Sequence, residues 1–156
     1  MPTLPELIDT YLAGPKALRA AVAGMTREQL LARPVPGKWS TLEVVAHLAD
    51  YDPIIAERVK RTLAFPKPIL FGADPDPLAA TLAYHARDLE EELQLIELTR
   101  KSLARVLRTL DDSVLTRPCI HTERGLLTLE QLLTLGGKHI AHHLPFIAAK
   151  REALGV

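Results

Sequence analysis

Apolar side chains recur along this chain at intervals of three and four residues, the spacing that gives an α-helix one continuous apolar face. Between residues 76 and 110 the positions Leu82, Ala86, Leu89, Leu93, Ile96, Leu103, Leu107 and Leu110 keep that spacing with an occasional missed step, and only Arg100 interrupts the stripe. The pattern predicts a packed bundle helix of about eight turns, capped by Asp76 with Pro77 in its first turn. An earlier helix is expected over Leu4 to Gly24, capped by Thr3, with a bend or break near Gly14 because Pro15 falls inside it. A single turn capped by Thr26 should cover Arg27 to Leu31. Ser40 followed by Glu43, and Thr128 followed by Gln131, are capping boxes. They open a second long helix ending about Ala64 and a last one carrying Leu129, Leu132, Leu133, Leu135, Ile140, Leu144 and Ile147.

Between these helices lie a Pro/Gly stretch at 33–38, a proline-rich connection at 65–76 and a segment at 111–127 holding Cys119, His121 and Gly125. No segment reads as a strand. The expectation is one domain over 1–156, all-α: a four-helix bundle with kinked helices and longer loops before its third and fourth helices.

Composition narrows the partners. Lys plus Arg and Asp plus Glu both number 19, so there is no global excess of positive charge to neutralise nucleic-acid phosphates. No apolar run approaches the length of a membrane span, and the first residues lack the pattern of a signal peptide. Cys119 is the only cysteine, which rules out an internal disulfide and a thiolate cluster. A cytoplasmic protein without nucleic-acid or membrane partners is expected, and any metal must be held by histidine or carboxylate.

The chemistry concentrates in the histidines. His139 and His143 stand four apart on the last helix, so both project from one face about a turn from each other. Such a pair can converge on one ion; equally, the two can be satisfied core or surface side chains. His47, among apolar neighbours in the second long helix, is the best third ligand, and three imidazoles with a free position make an open site. Ile140 stands where a zincin would place its glutamate, so that peptidase chemistry is excluded. His142 belongs to a different face, and His85 reads as an ordinary helix residue. Gly136 and Gly137 mark either close helix packing or room for a ligand. Pro53 and Pro145 should free the carbonyls of Ala49 and Ala141 and kink both ligand-bearing helices. Asp50 and Tyr51, three and four residues after His47, can orient a ligand or exchange a proton with bound water, or be a surface carboxylate and a rim tyrosine. His121 reads as a local loop contact and Cys119 as a small buried residue, although both could approach the site.

The stretch Pro36-Gly37-Lys38-Trp39-Ser40 followed by His47-Leu48-Ala49-Asp50, then Ile120-His121-Thr122-Glu123-Arg124-Gly125, Thr128-Leu129-Glu130 and His139-Ile140-Ala141-His142-His143, resembles the DinB-like metalloprotein family over nearly the whole chain. The resemblance implies a four-helix bundle that binds a divalent metal, nickel or zinc, through His47, His139 and His143. It implies a small-molecule substrate, a homodimer, and one of several activities: thiol S-transferase using a low-molecular-weight thiol, isomerase, or metal-dependent hydrolase. Two positions depart from the near subfamily, in which a second histidine often precedes the first ligand and an aromatic residue precedes the second; here these are Ala46 and Lys138. The substrate can therefore differ while the metal site persists. The competing expectation is a non-catalytic metal- or ligand-binding bundle, in which protein groups fill the coordination sphere.

Overall fold

A computed structural model describes residues 2–156. Its helices are α1 (Leu4–Val22), α2 (Arg27–Leu31), α3 (Thr41–Ala64), α4 (Pro75–Thr81), α5 (Leu89–Leu107) and α6 (Leu129–Leu154). Four of them, α1, α3, α5 and α6, form the bundle. In each case the start follows from local chemistry. Thr3, Ser40 and Thr128 accept from the backbone N–H three residues on, and Glu6, Glu43 and Gln131 reach back to the cap's own N–H. Asp88 opens α5 by accepting from Glu90 N–H and Glu91 N–H, and the three glutamates of that first turn complement the helix dipole.

Two buried clusters fill the interior. One joins the first half of α1 and of α6 (Leu4, Leu7, Leu129, Leu133) to the second half of α3 and of α5 (Ala56, Val59, Leu103, Leu107). The other joins the opposite halves, with Leu18, Val45, Leu48, Ile96, Ile140 and Ile147. Hence α1 and α6 run in one direction, and α3 and α5 run in the other. The main contacts are α1 with α6 and α5, and α3 with α5 and α6. Neighbours α3 and α5 are parallel, so the chain between them must return along the bundle, which accounts for the long segment 65–88.

Arg100, the one break in the apolar stripe, sits fully buried where the four helices meet. Its Nε and Nη2 donate to the two oxygens of buried Asp52 on α3 at 2.6 and 2.8 Å. Nη1 donates to the Tyr11 carbonyl on α1 at 2.7 Å, and Nη2 also reaches the Gly136 carbonyl on α6 at 3.3 Å. The guanidinium lies over the Tyr11 ring, 4.4 Å from its centre. One side chain on α5 thus touches all three other bundle helices. A Cβ on Gly136 would lie 2.8 Å from Ile55 Cγ2, and one on Gly137 would lie 3.2 Å from Thr10 Cγ2. The two glycines serve close helix packing.

Two expectations are corrected. The long third helix does not form: α4 starts two residues earlier, behind Asp74 with Pro75 in its first turn, and ends at Thr81. Ala83 then turns the chain at φ +48, and a 3-10 turn over Tyr84–Ala86 buries Tyr84 before α5 begins. No strand was expected, yet three form. β1 (Ile69–Leu70) pairs in parallel with β2 (Pro118–His121), which pairs antiparallel with β3 (Gly125–Thr128). This small sheet contributes buried Leu70 and Cys119 to the first cluster. Pro15, Pro53 and Pro145 all lie inside continuous helices, so α1 bears no break near Gly14. Among the described residues no helix is long and apolar enough to cross a membrane.

Candidate metal centre

The first nine residues of α3, Thr41 to Ala49, are buried on every side, because α2 and the 84–86 turn cover the face that the bundle leaves free. His47 is therefore buried, at 4% exposure, and looks across to the face of α6 that carries His139 and His143. His47 Nε2 lies 3.2 Å from His139 Nε2, and one nitrogen from each of the three rings falls within 4.8 Å of the others. The ring centres stand 4.9 to 5.1 Å apart, edge toward face. His142 is exposed, with its ring 5.1 Å from that of His143, and is not among the three that converge.

The donor set fits a divalent cation. Burial holds His47 near pKa 4, His139 near 3 and His143 near 4, and the neighbouring rings add to the depression for the last two. All three imidazoles are therefore neutral at neutral pH and each offers one lone pair. The Nδ1 atoms of His47 and His139 are buried without a protein partner. Protonated at Nδ1, these rings direct bare Nε2 lone pairs at each other, an arrangement that a cation between them relieves. Two nitrogens bound tetrahedrally at about 2.1 Å stand about 3.4 Å apart, close to the 3.2 Å seen here.

Around the histidines the walls are aromatic. Trp39 stacks obliquely on His47 at 5.2 Å and meets buried Tyr84 edge-on. Tyr51 packs 4.6 Å from His47 and 5.4 Å from His139, and burial raises its pKa, so its hydroxyl stays protonated. Both oxygens of Asp50 are bound by Arg87, at 2.7 and 3.1 Å, although its charge still acts on His47. Two clefts flank the cluster. One, of about 320 Å³, runs from His143 past Trp39, Lys38, Phe146 and buried Lys150. The other, of about 170 Å³, runs from His139 past Tyr51, Arg58, His121 and Arg124.

His121 makes the expected local contact, its Nδ1 accepting from Glu123 N–H, yet it also lines the second cleft with His139. Cys119 is buried, away from the histidines, with Sγ 3.6 Å from the Leu127 carbonyl. His85 is exposed and lends only its carbonyl, to Arg27. Sequence reasoning missed Arg58 as a cleft residue, although a signal was present: His47, Tyr51, Ile55 and Arg58 follow at four, four and three, one stripe of α3. Nothing local in the sequence announces Arg87 as the partner of Asp50, or Asp52 as that of Arg100.

Three inward-facing imidazoles from two helices of a four-helix bundle define a class of metal-binding bundle proteins. The model of the DinB superfamily matches residues 10–147, and the chain belongs to that superfamily. A Geobacillus thermodenitrificans protein named "Putative metal-dependent hydrolase" is 31% identical over 90% of this chain and 80% of its own length. Bacillus subtilis YfiT, which carries the same name, is 29% identical over 90% of this chain and 80% of its own length. The solved structure of YfiT, titled a probable metal-dependent hydrolase with an unusual four-helix bundle topology, superposes with a TM-score of 0.89. It does so at 27% identity over 97% of this chain and 87% of that one.

Proposed function

We propose that His47, His139 and His143 hold one divalent cation, nickel or zinc, and that the chain is an enzyme acting on a small electrophilic substrate. The observation that carries this reading is the convergence of three neutral imidazole nitrogens within 4.8 Å, with clefts opening on either side. When bound, such an ion acts as a Lewis acid that makes water, or a low-molecular-weight thiol, a nucleophile at neutral pH. The names of the relatives favour water, and hence hydrolysis. The surrounding residues have separable tasks. The Trp39, Tyr51 and Phe146 rings exclude bulk water from the histidines. The Tyr51 hydroxyl is placed to donate to an oxygen that gains charge on the substrate. Asp50 acts as a positioning residue by anchoring Arg87, and with it the 84–88 turn, against α3.

Metal content of the purified protein should approach one ion per chain and fall to background in His47→Ala and His139→Ala. Equal occupancy in all three proteins refutes the assignment. Ester and thiol-plus-electrophile panels, run with and without chelator, then separate hydrolase from thiol S-transferase. Bound metal with no chelator-sensitive turnover on either panel would favour the non-catalytic bundle.

A further inference from the structure

The cleft beside His139 holds more positive charge than the fold requires. Arg58 and Arg124 both line it, and among the described residues neither guanidinium is ion-paired. Arg58 is half-buried, its Nη2 spent in part on the Phe71 carbonyl at 2.5 Å. Arg124 is exposed at the tip of the β2–β3 hairpin, directly before Gly125, whose φ of +74 closes that turn. The nearby Glu123 carboxylate lies against Gly72, where its charge acts on Arg58 and His121, but it makes no ion pair with either arginine. Tyr51 and buried His121 complete the polar wall, and Ile55, Leu132 and Leu135 supply an apolar one. Unpaired guanidiniums facing a small cleft are suited to oxyanions, which they bind through forked, charge-assisted hydrogen bonds.

We propose that this cleft is an oxyanion subsite: Arg58 and Arg124, with His121, bind a carboxylate or phosphate carried by the substrate on a partly apolar body. Binding there would set the rest of the substrate against His139. That last consequence rests on the metal-dependent function proposed above; the anion binding itself does not.

The test titrates the full-length protein with benzoate and with inorganic phosphate, following the His121 and arginine side-chain resonances by NMR. Saturable binding of at least one probe is expected, weakened by added salt and about tenfold weaker in Arg124→Gln and in Arg58→Gln. Benzoate binding alone would assign a carboxylate, and phosphate binding alone a phosphate. Arg124 is exposed, so its variant should fold even if Arg58→Gln does not. A His143→Ala chain separates the two proposals, since it removes a metal ligand from outside this cleft. Anion binding retained there supports the subsite whatever its metal content. Anion binding lost there with both arginines intact would put the anion on the metal and overturn the inference, as would unchanged affinity in Arg124→Gln or no binding to the wild type.

Discussion

Acid should destabilise the metal-free protein through the histidine cluster before it protonates most carboxylates. The unfolded chain binds protons at these rings with pKa near 6.5, whereas the folded chain holds His47 and His143 near 4 and His139 near 3. Stability is therefore complete above about pH 6.5 and falls as pH drops towards 4, because the unfolded state then takes up protons that the folded state refuses. At about pH 5 one such ring costs about 2 kcal/mol. His139 and His143 are only partly buried, and solvent screening reduces their share, so the three together should remove about 3 kcal/mol. With a urea m-value of about 2 kcal/mol/M, the unfolding midpoint falls by about 1.5 M between about pH 7 and pH 5. The assay is urea unfolding with chelator present, repeated for His139→Gln, whose line against pH should be shallower by up to about 1.4 kcal/mol per unit. Parallel lines for the two proteins would refute the reasoning, because they would show that His139 takes up its proton equally in both states.

Other perturbations test the packing. Arg100→Met should lower stability by about 3–5 kcal/mol, roughly 10 °C in Tm, by leaving Asp52 buried and unpaired; adding Asp52→Leu should restore much of it in the same thermal scan. Gly136→Ala should destabilise by about 1–2 kcal/mol, despite alanine's better helix propensity, because its Cβ meets Ile55 Cγ2. That penalty should shrink in an Ile55→Ala background, measured as a double-mutant cycle. Ser40→Ala should lower stability by about 1 kcal/mol in denaturant unfolding by uncapping α3.

The helices were legible wherever a cap and a period agreed. Thr3, Thr26, Ser40 and Thr128 mark true starts, and the ends near Val22, Leu31 and Ala64 lie close to where composition shifts. The third helix was misread because Leu82 and Ala86 continue the apolar spacing by coincidence. Asp88, followed by three glutamates, was the truer start signal. The sheet escaped because its strands span two to four residues and are stabilised by pairing across the chain, such as Ile69 with Ile120, which no window on one segment can register. At the metal centre the four-residue spacing brought out His139 and His143, and apolar flanks picked out His47. Long-range partners stayed hidden. Asp50 with Arg87, and Asp52 with Arg100, are 37 and 48 residues apart.

The alignment of α1 beside α6 sets the order in which this protein can mature. Helix α1 finds its main neighbour only in α6, and His47 likewise waits for a helix more than eighty residues downstream. Until α6 emerges, α3 and α5 can associate but the imidazole cluster has only one of its three members in place. Ion capture therefore waits for α6, and a product truncated before it should be both unstable and unable to retain metal.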